Sequence, residues 1–225
     1  GNVVWCMGGD YSPSNASQQW NIVTGIRSVR TTDIITAHTG RGDEEAYKTW
    51  SGMTGFNLNN IYSDGLEYDL AATAYARSGP IPFFLIEGYY DGESANVADC
   101  RRQAYASILS GACGHLFGNN PIWGFGEPNA NGGNGAAAAL SSGLSTTATI
   151  QMTYVKDLFG AYEWWKLAPS TGTALVTTSL GSGTSRVCPS LASDGSFAMV
   201  WKNASGSATI DMSALKPSTV RARFY

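Results

Sequence analysis

The chain has 225 residues, of which 43% are apolar and 14% charged, with 27 glycines and a formal net charge of −3. That length suits one large domain, or one domain plus a small one; the charge gives no electrostatic case for nucleic acid, and no apolar run is long enough to span a bilayer. Low charge with abundant glycine points to tight turns and polar uncharged loops rather than disorder.

No signal peptide is visible and the chain does not open on Met, so it reads as a trimmed precursor or a fragment. Asn2 to Met7 forms a short apolar strand, followed by Gly8, Gly9 and the carboxylate of Asp10, and residues 11–15 read as loop. Ala16 to Arg30 carries apolar residues at Trp20, Val23, Ile26 and Val29, a helical spacing. Ile34 to His38 is the next strand, ending on His38, with residues 39–44 as loop. Gly55 to Ile61 gives a further strand, with Asn59, Asn60 and Tyr62 crowding its end, and Leu66 to Ala76 reads as helix.

Pro82 to Ile86 carry no charge and no hydrogen-bonding side chain, the composition of a strand buried on both faces. The run stops on Glu87, and Gly88, Tyr89, Tyr90, Asp91 and Glu93 follow. A charge is costly to bury unless it is paired or set in a cleft, so Glu87 is either a site residue or a strand-end acid capping the next loop. Val97 to Ala112 is the clearest helix, and Gly114 to Trp123 a strand with a polar end through Asn119 and Asn120. Residues 126–143 read as a long loop of Gly, Asn, Ala and Ser, and Thr146 to Leu167 as a long helix with Tyr162, Trp164 and Trp165 at its end. Near Pro169 the rhythm changes. Residues 175–180, 186–191, 196–202, 208–212 and 220–225 read as short strands between Gly-Ser and Asp-Gly turns.

Residues 1–168 therefore alternate strand and helix, which implies a parallel sheet, and residues 169–225 form a small all-β unit. In parallel sheets ligand sites lie at the carboxyl ends of the strands. Those ends carry Asp10, His38, Asn60, Glu87 and His115, five polar or ionisable residues on five strands. Two carboxylates among His, Asn, Tyr and Trp suit glycoside hydrolysis: one acid protonates the leaving oxygen and the other attacks the anomeric carbon or activates water.

Other chemistries fit less well. Asp10 with His38 and His115 could bind a metal, but neither histidine lies in a ligand-pair spacing, so no metal site is assigned. No G-x-S-x-G nucleophile motif is present. Arg41-Gly42-Asp43 matches the integrin-binding tripeptide but reads as an ordinary strand-to-helix loop. Tyr162, Trp164 and Trp165 read as interface packing rather than sugar contacts, and Trp123, beyond a strand end, as a cleft residue. Cys6, Cys100, Cys113 and Cys188 lack C-x-x-C spacing, which argues against zinc and leaves one or two disulfides open. Asn15 and Asn203 begin glycosylation sequons, which are common by chance.

Gly8-Gly9-Asp10, the strand ending at His38, Glu87-Gly88-Tyr89-Tyr90-Asp91, Gly111-Ala112-Cys113-Gly114-His115-Leu116-Phe117-Gly118, Ile122-Trp123 and Trp164-Trp165 together resemble the apiosidase-like glycoside hydrolases. The Gly-Ala-Cys-Gly-His segment is the most specific match, and the resemblance covers nearly the whole chain. It implies a (β/α)8 barrel followed by a small β domain, with Asp10 ending barrel strand four as general acid/base and Glu87 ending strand seven as nucleophile. His38, Asn60, Tyr62, Tyr89, Tyr90, His115, Asn119 and Trp123 would line the sugar cleft, with no cofactor, no membrane association and a secreted or periplasmic setting. The sequence departs from the family at Asn60, often Gln there, and at Asn119 and Asn120, often two His. Five strands cannot close an eight-stranded barrel. The expectation is thus the part of a barrel from strand four onward, with more polypeptide completing it, or else a smaller open α/β sheet. Two functions follow: a retaining glycosidase acting on plant or microbial polysaccharide, or a non-catalytic carbohydrate-binding or scaffold protein assembling through open sheet edges. A carboxyl separation of about 5–5.5 Å would mark a retaining pair and roughly 6.5–9.5 Å an inverting one.

Overall fold

The structure, a computed structural model, describes residues 3–42, 44–65, 67–79, 81–93, 96–123 and 136–225. Asn2, Asp43, Leu66 and residues 126–135, read above as a strand start, loop, helix start and loop, lie outside them. β1 (Val4–Met7) lies parallel to β2 (Ile34–Ala37), with Val4 opposite Ile34 and Met7 opposite Ala37. The crossover is α1 (Ala16–Val29), whose first turn is capped by Asn15 Oδ1 accepting from Gln18 N at 2.9 Å. Trp20 and Val23 pack against Met7, Ile35, Ala37 and Trp50, while Val29 at the helix end faces solvent.

Two small elements carry no apolar pattern and escape sequence reading: β3 (Glu44–Glu45) and α2 (Tyr47–Trp50), which buries Trp50 fully. β3 pairs antiparallel with β4 (Asn59–Tyr62). The strand expected from Gly55 starts only at Asn59. Gly55 adopts φ +94° against the Arg27 guanidinium, a turn that a side chain would strain. Asn57 then joins β2 through its side chain, with Oδ1 accepting from Ile35 N at 2.8 Å. The amides of Asn57 and Leu58 both donate to Ile35 O at 3.2 Å.

Beyond α3 (Glu67–Tyr75), β5 (Phe83–Glu87) runs parallel to β4. β6 (Tyr90–Asp91) follows, then α4 (Val97–Leu109), opened by a capping box between Asn96 and Asp99. The expected strand over 114–123 is broken into three pieces. Cys113–Leu116 runs beside β5, with Leu85 N donating to Gly114 O at 3.1 Å and Leu116 N to Leu85 O at 2.9 Å. β7 (Gly118–Asn119) pairs with β6, and α5 (Asn120–Trp123) turns away. The part of the expected loop from Ala136 onward is helical, α6 (Ala136–Gly143), as its run of alanines favours. β1 pairs parallel with β2 and β4 with β5, helices lying between; β2 meets β4 through the bonds of Asn57, Leu58 and Asn60, and His115 adds a single parallel bridge to Leu85.

α7 (Thr147–Gly160) stops at Gly160 instead of reaching Leu167, and a single 3₁₀ turn (Trp164–Lys166) leads into β8 (Leu167–Pro169). β8 pairs antiparallel with β9 (Val187–Ala192), and β9 with β10 (Ala198–Lys202). Leu167 and Ala168, assigned above to the first unit, therefore belong to the C-terminal sheet. Residues 175–180 and 208–212 form no ladder and share one backbone bridge, between Val176 and Ile210, and residues 220–225 form no strand.

α4 carries the sheet on its back. Tyr105 stacks on Trp201 with ring centroids 4.6 Å apart, and Arg186 lies 3.6 Å over Tyr68. Tyr162 packs on Phe197 and Trp164 on Phe159, the expected interface role, whereas Trp165 is exposed. Arg102 of α4 and Glu67 of α3 form an ion pair with both side chains only 2% exposed. All four cysteines are free thiols.

Candidate active site

The carboxyl ends of β1, β2, β4 and β5 deliver Asp10, His38, Tyr62 and Glu87 to one place. Ligand oxygens of Asp10 and Glu87 and a ring nitrogen of His38 all lie within 4.8 Å of one another. Asp10, Tyr62, Glu87, Tyr89, Tyr90 and Trp123, with Arg41, Gly88 and Glu93, line a cleft of about 300 Å³.

Glu87 is held by three donors. His38 Nε2 is 2.9 Å from its Oε2, and the hydroxyls of Tyr90 and Tyr62 also bond to it. Burial raises the Glu87 carboxyl, but these bonds and the charge of His38 more than offset burial and leave it below its ordinary value of 4.5. Burial and the neighbouring carboxylate push both phenols up, so they remain donors. His38 Nδ1 donates to Thr39 O at 2.8 Å. Its hydrogen bond to Glu87 outweighs burial and raises it above 6.5. With Thr39 O and the Glu87 carboxylate both placed to accept, the geometry favours a protonated His38 beside an ionised Glu87. His115, the other residue in the metal set considered above, is not part of this cluster.

The shifts fix a pH window. A raised histidine contributes stability that is complete below its unfolded-state value and lost as pH climbs through its folded one; a lowered carboxyl contributes above its unfolded-state value and loses it as pH falls. The pair is at full strength between pH 4.5 and 6.5. The chain has two histidines, and burial pushes the other, His115, down to about 4. A proton NMR titration is therefore expected to give one imidazole midpoint above 6.5 and one near 4, and two midpoints together near 6.5 would contradict the pairing.

Two glycines permit this arrangement by their lack of a side chain. A Cβ on Gly118 would come within 2.6 Å of the Tyr90 ring, so the ring that bonds Glu87 and packs edge-on to Trp123 rests on bare backbone. A Cβ on Gly88 would meet Gln103 Oε1 at 2.5 Å. Gln103, buried on α4, clamps two strand exits: its Oε1 accepts from Tyr89 N at 2.8 Å and its Nε2 donates to Ser63 O at 2.8 Å. Ser63 N in turn donates to Glu87 O at 3.1 Å.

Three expected cleft residues serve the scaffold. Asn60 is 0% exposed, and its amide donates to Thr36 Oγ1 and Ala37 O, both at 2.7 Å, lacing β4 to β2. Asn119 donates to Gly143 O and Thr149 Oγ1, each at 3.2 Å, tying β7 to the helices behind it. His115 bridges to Leu85 beside β5 and does not line the cleft. Conversely, sequence reading passed over Arg41, which lines the cleft and bonds Asp64 at 2.5 Å. Glu93, whose Oε1 accepts from Trp123 Nε1 at 3.1 Å, and Gln103 were passed over too.

The family model described as "Apiosidase-like, catalytic domain" matches residues 1–166. A glycoside hydrolase family 5 protein from Bacteroides vulgatus ATCC 8482 superposes with a TM-score of 0.82 at 21% identity, covering 96% of this chain and 53% of that one. A second solved structure, described as a glycoside hydrolase, gives 0.80 at 20% identity, covering 96% and 54%. At such identities the likeness shows the fold, a mixed α/β architecture shared with glycoside hydrolases. The chain spans about half the length of these two structures. No curated protein matches it.

Proposed function

The chain belongs to the apiosidase-like family, and from that premise we propose that it carries the paired carboxylates of a retaining glycoside hydrolase acting on polysaccharide side chains. The carrying observation is that Asp10 and Glu87 present oxygens within 4.8 Å of each other in one cleft, in keeping with the separation of about 5 Å that leaves no room for an attacking water. Glu87, kept ionised by His38, Tyr62 and Tyr90, attacks the anomeric carbon. Asp10 protonates the departing oxygen, then takes a proton from the water that releases the sugar. Gln103 and Gly118 hold Glu87 and Tyr90 in place from behind, and the aromatic walls offer flat faces to a sugar ring.

We read the arc of parallel strands as barrel strands four to eight. β1 has β2 as its neighbour on one side, and Val4, Trp5 and Ile34 are 47%, 37% and 46% exposed. An exposed apolar edge of this kind is a template for further strands, so additional polypeptide packing there belongs to this reading. A secreted or periplasmic setting suits the substrate class.

The test follows product configuration. The protein is incubated with a panel of 4-nitrophenyl glycosides and the first anomer released is recorded by proton NMR. Retention is expected; inversion would reverse the role of the second carboxylate. Binding of glycosides without turnover would favour the non-catalytic reading.

A further inference from the structure

Glu93 stands in the cleft with a charge that the two-carboxylate mechanism does not use. It follows β6 in a turn, its amide donating to Tyr90 O at 3.3 Å. Trp123 Nε1 at 3.1 Å and Asn120 Nδ2 at 3.3 Å both donate to its Oε1. Asn120 is buried, so the carboxylate is anchored from below, and both of these bonds use one oxygen. Trp123, 49% exposed, keeps its edge against Tyr90 with ring centroids 6.3 Å apart. Among the described residues the lining carries the carboxylates of Asp10, Glu87 and Glu93 and the guanidinium of Arg41, itself bound to Asp64 at 2.5 Å; Glu87 is matched by His38, 2.9 Å away, whereas Glu93 faces only neutral donors. A small cleft walled by aromatic rings concentrates that negative field.

We propose that Glu93 is a specificity-determining residue: it turns the cleft against anionic sugars, so that the ring docked beside Trp123 is a neutral one whose hydroxyl donates to the second oxygen of Glu93. The inference rests on the glycosidase reading above and narrows its substrate class. A neutral ring gains a charge-assisted hydrogen bond. A uronate there would set its carboxylate against that of Glu93, and one like-charge pair at close range is worth about tenfold in affinity.

The experiment compares binding of methyl glycosides of neutral sugars with their matching methyl uronosides, by calorimetric titration, for the unaltered protein and E93Q. The amide oxygen of E93Q can still accept from Trp123, so the indole stays in place. The unaltered protein is expected to prefer neutral sugars, and E93Q to narrow that preference about tenfold by gaining affinity for uronosides. Raising the salt to about 1 M should narrow it in the unaltered protein too. Equal binding of both sugar classes to the unaltered protein would overturn the proposal. So would a uniform loss in E93Q, which would reduce Glu93 to a support for Trp123. Binding of neither class to either protein is a different result, and removes the glycosidase reading itself.

Discussion

Glu87→Gln is expected to lower kcat/KM by roughly three to four orders of magnitude while carbohydrate binding survives. The amide keeps the size and an acceptor oxygen but has no anionic oxygen to form the bond to the anomeric carbon. It also removes the charge that holds His38 protonated, so the high-pH imidazole midpoint should fall toward 6.5 in the same protein. That second readout separates loss of the nucleophile from general damage. Azide sharpens the assignment. In Glu87→Ala it should displace an activated aryl leaving group directly and give a glycosyl azide of inverted configuration. In Asp10→Ala it should capture the covalent intermediate and give the retained one. Full activity in Glu87→Gln, or the two configurations exchanged, would overturn the assigned roles.

Arg102→Met is expected to cost about 3–5 kcal/mol of stability, because it strands the Glu67 carboxylate in a nearly dry interface. Glu67 and Arg102 are each 2% exposed, and among the described residues Arg102 Nε and Nη2 and Glu67 Oε2 have no hydrogen-bond partner. The nearby Asp99, 3.6 Å from Arg102 Nη2, is partly solvated and offers Arg102 a weak second contact. The lost stability corresponds to a fall of about 10 °C in Tm for a chain of this size. Replacing both partners at once, Glu67→Met with Arg102→Leu, should recover most of it, since two apolar groups of similar volume need no desolvation. Thermal unfolding of the two variants checks this, and a single variant as stable as the double would show that the pair is not isolated from water.

Strand ends that break a buried apolar run with a charge were readable from sequence, and Asp10, His38 and Glu87 do converge. What was not readable is which way the next polar residue turns. A step of one residue sends a strand side chain to the opposite face, and Asn60 spends both hydrogens of its amide on β2 rather than on the cleft. Glu93 stood in view among the acids after Glu87, but its link to Trp123 spans 30 residues and leaves no local trace. Arg41 was hidden in a tripeptide that resembles a different function. Its place in the cleft depends on Asp64, 23 residues away. In the C-terminal part, the strand expected over 175–180 is reduced to one bridge, Val176 with Ile210, although Leu175 and Val176 are both buried. Positive φ at Gly181 and Gly183 bends the chain away before a ladder can form.

Gln103 and Tyr105 lie two residues apart on one helix, about 200° around its axis. One side of that helix grips the loops carrying Glu87 and Tyr90, and the other is stacked against Trp201. α4 is thus a beam loaded from both sides, and the C-terminal sheet is a brace rather than an appendage. Trimming the chain before Leu167 would leave the rear of the beam bare, and the resulting slack would be felt at the nucleophile.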